Sequence, residues 1–179
     1  MEHETLGGPD FSTTRMTWIK PSLAWMLYRS GYGTKPNQEC ILKIKLRHSV
    51  VAQLLSQCTW RHGQGGIASG RIQWDPERDI LTSKDGKEPS RMTHRRAIQI
   101  GLSKELLESY IQNIVSIQDV TELAHHIQRA HQMLAENPNS DAMKDLVQDL
   151  PNERPYIPHM DPKSLTKIGL SPCCKDHEG

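Results

Sequence analysis

The stretch Cys40–Arg47, with the sequence CILKIKLR, is the clearest strand signal in the chain. Its apolar and basic residues alternate, and successive side chains of a strand point to opposite faces. The sequence therefore predicts one buried row and one exposed row: the apolar row is Leu42, Ile44 and Leu46, and the basic row is Lys43, Lys45 and Arg47. No aromatic residue interleaves with the basic row, which favours a water-facing surface over a nucleic-acid platform.

Helical patterns lie on both sides of this strand. Before it, Ser22–Ser30 begins at a residue that can cap a helix and carries an apolar stripe. Gly31, which follows, is a common helix terminator. After the strand, Ser49–Gln57 again has apolar residues at helical spacing.

The strands and helices predicted after these do not alternate regularly along the chain. Strands are predicted at Arg71–Trp74, which Pro76 stops, and at Arg96–Leu102, with a Gly-rich loop at Arg61–Gly70 before them. Helices are predicted in three segments, from the capping residue Ser103 to Asn113, from Asp119 to Glu136, and from Ser140 to Gln148, with an extended tail from Pro151. This order predicts an α+β fold, with a small mixed or antiparallel sheet flanked by helices and a helical C-terminal half.

Length and charge limit the class of protein. The chain has 179 residues, with 22 Lys and Arg against 21 Asp and Glu, and a net charge of +1. This length predicts a single domain at residues 11–170, between a flexible lead-in at residues 1–10 and a disordered tail at residues 171–179. The balanced charge argues against binding of nucleic acid by bulk electrostatics.

Targeting signals and cysteines bear on the compartment. No secretory signal opens the chain, and its longest apolar run, Leu23–Tyr28, is far too short to span a bilayer, so no membrane partner is predicted. The cysteines show no disulfide framework, which indicates reduced thiols in a cytoplasmic or nuclear protein. Cys173, Cys174 and His177 are interpreted as incidental ligands in a frayed tail, because two adjacent Cys and one His do not close a zinc shell. No metal and no cofactor are predicted, and the oligomeric state stays open.

Several phrases of the sequence are too unusual to be generic. In chain order they are RMTWIKPSLAWMLYRSGYG at Arg15–Gly33, RIQWDPERD at Arg71–Asp79, RAIQIGL at Arg96–Leu102, SIQDVTELA at Ser116–Ala124 and LPNERPY at Leu150–Tyr156. With these motifs the chain resembles the family called domain of unknown function 4291, from about Phe11 to Leu170. The resemblance implies motif membership and no particular mechanism. Members generally carry a further N-terminal segment, so we expect this chain to be an N-terminally incomplete version of the domain.

The first motif combines basic and aromatic residues. Arg15, Lys20 and Arg29 lie among Trp18, Trp25 and Tyr28. A helix that starts at Ser22 places its free N–H groups beside Lys20, which favours a phosphate or carboxylate there. The alternative is that the tryptophans are core residues and the basic side chains pair with acids from elsewhere.

The second motif is acidic. In an extended chain Asp75, Glu77 and Asp79 share one face. These carboxylates either neutralise Arg15, Arg29 or Arg71, or Asp75 and Glu77 act as catalytic acid or base. On charge complementarity, we predict that Arg15–Tyr32 and Arg71–Asp79 lie together in space.

These observations define one leading hypothesis and one alternative. The leading hypothesis is a cleft that binds an anionic, phosphorylated ligand, a nucleotide or nucleic acid, with or without catalysis. Its predicted ligand-binding residues are Arg15, Lys20, Arg29, Arg71, Arg78 and Arg96. The alternative is a non-catalytic interaction domain whose Arg, acid and Trp motifs are structural. His125, His126 and His131 are interpreted as surface or half-buried residues.

Overall fold

A computed structural model describes residues 6–7, 11–60 and 69–171. Its strands are β1 (Thr17–Ile19), β2 (Leu42–Lys45), β3 (Cys58–Thr59), β4 (Gly70–Asp79), β5 (Ser90–Leu102) and β6 (Ser116–Asp119). Its helices are α1 (Leu23–Ser30), α2 (His48–Ser56), α3 (Glu105–Gln112), α4 (Thr121–Glu136), α5 (Ala142–Leu146) and α6 (Pro162–Lys167), with a 3₁₀ turn at Val147–Asp149. Most of the predicted lead-in, most of the Gly-rich loop and the Cys173–Cys174 tail lie outside the described residues.

The larger sheet is mixed and has the strand order β1-β5-β4-β3. β1 pairs antiparallel with β5, β5 antiparallel with β4, and the short β3 parallel with β4. A separate antiparallel ribbon joins β2 to β6. Helices α3 to α6 follow the larger sheet, so the predicted α+β class with a helical C-terminal half is confirmed.

Strand β4 runs through Pro76, so the prediction that this proline ends the strand was wrong. β3 pairs only with Gly70 and Arg71, so at Pro76 the other side of β4 has no partner strand among the described residues. Proline is tolerated at such an edge because no ladder hydrogen bond is lost. A register shift between Pro76 and Arg78 then bends the strand.

Strand β2 is shorter than predicted, and its apolar row is only partly buried. Ile41, just before the strand, is buried. Leu42 is 38% exposed, so the prediction that Leu42 is buried was wrong. Leu42 lies opposite Asp119 at the end of the ribbon, while Ile44 and Leu46 are half-buried against the core. Lys43, Lys45 and Arg47 are exposed, as predicted.

Two hydrophobic clusters hold these elements together. The first lies between α2, α3 and one face of the larger sheet, and contains Leu54, Ile72, Ile100, Leu107 and Ile168. The second joins α1 to α4 and contains Leu27, Tyr32, Ile41, Ala124 and Ile127. Neither cluster contains a residue of the other face of the larger sheet, and α1 contacts β4 of that sheet.

Local capping was predicted correctly for α1 and wrongly for α3. Ser22 accepts a hydrogen bond from the N–H of Trp25, and Gly31 ends the helix with a φ of 59°. Ser103 does not cap α3, because its hydroxyl donates to the carbonyl of Ser69. Among the described residues, no helix has the length and apolar character that a bilayer span requires.

Candidate functional site

The first two sequence motifs meet in space, which confirms the prediction of their proximity. The Ser22 hydroxyl, at the start of α1, donates to Glu77 Oε1 of β4 over 2.7 Å. Ser22 is buried, so this contact belongs to the packing of α1 against β4. It links residues 55 positions apart in the chain.

The register of the sheet decides which side chains share this face. Arg71, Gln73 and Asp75 lie opposite Gly101, Gln99 and Ala97, and directly opposed residues of an antiparallel pair project to the same side. Trp18 of β1 lies opposite Gly101, and a Cβ added there would come within 3.0 Å of its indole. We call this surface the polar face; its residues are Trp18, Arg71, Gln73, Asp75 and Gln99.

Lys20 lies where the polar face meets α1. Its ammonium is 5.3 Å from the centre of the Trp25 ring and 3.4 Å from the carbonyl oxygen of Trp18. Burial and, second, the charge of Arg29 lower the pKa of Lys20 to about 8, while the charge of Asp75 acts in the opposite direction. In the described parts of the chain, neither Lys20 nor Arg29 has a carboxylate within 4.0 Å.

The acids of the second motif are satisfied by neutral donors. Asp75 accepts hydrogen bonds from the amides of Gln73 and Gln99. Glu77 Oε1 accepts from the hydroxyl of Ser22 and, over 2.8 Å, from the N–H of Arg78. The predicted pairing of these acids with Arg15, Arg29 or Arg71 was therefore wrong for the residues that the structure describes.

The N-terminus of α1 already holds an anion from the protein itself. Glu153 Oε1 accepts from the N–H of Leu23 over 2.7 Å, so the helix end assigned to a bound phosphate contacts this carboxylate instead. Burial raises the pKa of Glu153, the Leu23 N–H lowers it, and nearby Glu77 raises it. The residue is exposed overall, while its carboxyl is turned toward the helix. Glu153 belongs to the LPNERPY motif, to which sequence reasoning assigned no role.

Arg78 is enclosed by contacts within the protein itself. Its guanidinium carbon lies 3.4 Å from the centre of the Tyr28 ring, and Nη1 donates to Glu88 Oε1 over 3.0 Å and to the Pro89 carbonyl over 3.2 Å. The side chain is only 10% exposed, and its Nε atom has no hydrogen-bond partner within the described residues. Stacking and ion pairing together hold this arginine between α1 and the β4–β5 connection.

Substitution of Arg78 tests that role. Arg78→Lys keeps the positive charge but loses the planar stack on Tyr28, so we expect a loss of about 1 kcal/mol in the free energy of unfolding. Urea titration of the parent and the variant measures it. Arg91→Lys, at the exposed register partner of Arg78, should change stability by less than about 0.5 kcal/mol. Equal stability of all three proteins would contradict the structural role.

The remaining predicted arginines differ in their surroundings. Arg29 donates to Gln38 Oε1 over 3.2 Å, and Arg15 is exposed. Arg96 lies opposite Pro76, in the row of Ile98 and Ile100, and therefore on the other face of the sheet from Asp75. The prediction that Arg96 shares a cleft with the other basic residues was wrong, because the strand register separates them.

His131 was placed wrongly by sequence reasoning. It is fully buried: its Nδ1 lies 2.7 Å from the Tyr32 hydroxyl, and its Nε2 lies 2.9 Å from the Ile80 carbonyl. Since that carbonyl can only accept, Nε2 carries the proton and Nδ1 accepts from Tyr32. Within the described residues, no group of three or more His, Cys, Asp or Glu side chains could hold a metal ion.

The structure thus defines an α+β domain with a polar sheet face beside a short capped helix. The family model named domain of unknown function (DUF4291) matches residues 1–156, most of the chain. The chain belongs to this family. No curated protein and no solved structure matches it.

Proposed function

We propose that this domain binds an anionic, phosphorylated ligand, a nucleotide or nucleic acid, on the polar face beside α1. Lys20 and Arg29 are the cationic partners, and Arg71 contributes further positive charge on the same face. One observation carries the proposal: the Lys20 ammonium is partly buried against Trp25, Arg29 is its strongest charged neighbour, and no described carboxylate pairs with either.

The energetics favour a role of Lys20 and Arg29 in anion binding over a role in a structural ion pair. Two like charges near one another raise the free energy of the folded protein, and burial raises it further. The nearby acid Asp75 is held by two amides rather than by Lys20. A bound phosphate would relieve both costs through charge-assisted hydrogen bonds.

The aromatic residues suit the organic part of such a ligand. Trp18 is 36% exposed on the polar face, and its ring lies over Gly101. A base can stack on an exposed indole, and stacking with neighbouring positive charge is how many proteins hold nucleotides and single strands.

In a catalytic version of the proposal, Asp75 transfers the proton, because it faces Lys20, whereas Glu77 positions the start of α1.

The free thiols of Cys40 and Cys58 support our placement of the protein in the cytoplasm or nucleus.

A non-catalytic interaction domain is the second candidate. The observation that favours it is that some polar side chains of the acidic motif already have partners within the protein. Glu77 contacts Ser22, and Arg78 contacts Tyr28 and Glu88. In that case Lys20 would also stabilise the fold through Trp25.

The variant Lys20→Met separates the two candidates. If Lys20 serves a ligand, Lys20→Met should weaken pyrophosphate binding at least tenfold, the loss of one charge-assisted contact of about 1.5–3 kcal/mol. The same variant should stabilise the free protein by about 1 kcal/mol at pH 7, since it removes a partly buried, partly screened charge. Calorimetry with inorganic pyrophosphate and thermal melts measure the two quantities.

The pH dependence follows from the lowered pKa of Lys20. Anion affinity should fall as pH rises through about 8, because the amine then loses its charge. The unfolded chain binds more protons than the folded one between about 8 and the ordinary lysine pKa of 10.5, so the stability gain of Lys20→Met should shrink over that window.

A matched control is Lys43→Met, which removes an exposed lysine of β2. It should change neither pyrophosphate affinity nor its pH profile. No saturable binding of pyrophosphate or nucleotides by the parent would refute the proposal, and destabilisation by Lys20→Met would favour the interaction domain.

A further inference from the structure

A second aromatic and basic surface lies on the opposite face of the larger sheet. It is a groove of about 420 Å³ lined by Trp60, Trp74, Arg96, Gly169 and Leu170. Arg96 is exposed, and Trp60 is 43% exposed. None of these residues belongs to the polar face, so the groove is independent of the function proposed above.

Both tryptophans contact the backbone at the end of α6 and just after it. The indole Nε1 of Trp74 donates to the Ile168 carbonyl over 2.8 Å, and the backbone N–H of Trp60 donates to the Lys167 carbonyl over 3.0 Å. A Cβ at position 169 would come within 3.0 Å of both rings, and Gly169 has a φ of +86°. A glycine is therefore needed here, where both rings pack against the backbone, and the hydrogen-bonded Trp74 indole is fixed before any ligand arrives.

Arg96 provides charge at the same place. Its register partner is Pro76, and Trp74 lies opposite Ile98, so Arg96 and Trp74 are diagonal neighbours on one face. Across the described ranges, Arg96 has no carboxylate within 4.0 Å. Its guanidinium can make bidentate hydrogen bonds to a phosphate.

We propose that this groove binds a mononucleotide, with the base against the indoles and the phosphate on Arg96. The volume lies at the lower end of the range for small-molecule sites, which suits one nucleotide unit. A single arginine matches a single phosphate group. Aromatic faces and a guanidinium together are the elements that recognise a base and its phosphate.

The test uses adenosine monophosphate as the probe, with tryptophan fluorescence and the indole N–H signals in NMR spectra as readouts. We expect saturable binding that perturbs the signals of Trp60 and Trp74. Arg96→Gln should weaken this binding about tenfold or more, the loss of a charge-assisted contact. Arg95→Gln, which removes the adjacent exposed arginine on the other face, is the matched control and should leave the affinity within about twofold. Circular dichroism checks that each variant is folded.

Several outcomes would overturn the inference. They are absence of saturable binding, equal affinity of Arg96→Gln and Arg95→Gln, or adenosine binding as tightly as its monophosphate. An oligoadenylate whose affinity rises steeply with length would show that a strand is the occupant. Loss of binding in Lys20→Met but not in Arg96→Gln would place the probe on the polar face, which refutes the groove and supports the function proposed above.

Discussion

Replacing Gly70 with alanine should destabilise the protein by about 3 kcal/mol, near the upper end of the usual cost of overpacking a core. A Cβ at this position would overlap Cys58 Sγ and would lie 2.7 Å from Leu106 Cδ2 and 3.2 Å from the Cα of Cys58. Cys58 is fully buried and Leu106 is 2% exposed, so neither can move into solvent. Part of the obstruction is backbone, which no rotamer change relieves.

Urea unfolding of the purified protein measures this loss. Gly7→Ala is the matched control, since an added Cβ there meets no atom of the described residues within 4 Å. The control should differ from the parent by less than about 0.5 kcal/mol. A Gly70→Ala protein as stable as the parent would mean that β3 and β4 are not packed as closely as the structure has them.

The buried pair of Tyr32 and His131 should produce the second large effect. Tyr32→Phe removes the hydroxyl that donates to His131 Nδ1 and leaves a buried acceptor without a partner. Such a group costs about 1–3 kcal/mol of stability. Tyr28→Phe, on the half-buried tyrosine of α1, is the matched control and should cost less.

The same pair should make stability sensitive to acid. Burial lowers the pKa of His131, while the Ile80 carbonyl and the charge of Asp79 raise it. The unfolded chain therefore binds more protons than the folded one below the ordinary histidine pKa of about 6.5. The contribution of His131 to stability is complete above that pH and is lost as the pH falls through and below it.

Urea titrations at pH 7.5 and pH 5 test this dependence. His131→Gln, which cannot titrate, should lose less stability between the two conditions than the parent does. His126→Gln removes an exposed histidine of the same helix and should behave like the parent. Equal acid sensitivity of the parent and His131→Gln would contradict the assignment of this histidine.

Features determined by neighbouring residues could be predicted from the sequence. The bounds of α1 follow from Ser22 and Gly31, because a cap and a left-handed terminator act within one turn of the helix. The exposure of Lys43 and Lys45 follows from the alternation of a strand. The family could be identified because its motifs are continuous in the chain.

Features determined by distant residues could not be predicted. Strand β6 pairs with β2, which lies more than 70 positions earlier in the chain, and Pro76 continues β4 at a position where the outer side of β4 has no partner strand among the described residues. Such pairings depend on contacts between segments far apart in the chain, which local propensity does not encode.

The same distinction between local and distant determinants applies to the candidate site. The sequence by itself determined that basic, aromatic and acidic motifs are present. Their proximity was predicted from complementary charge, but the structure joins them through Ser22 and Glu77 and not through an ion pair of the described residues. Only the tertiary structure decided that Glu153, 130 positions away, caps α1, and that His131 is buried against Tyr32. The tertiary structure also decided that Arg96 and Lys20 lie on opposite faces of the larger sheet. The register of a strand, which its partner strands set, determines which face each side chain occupies.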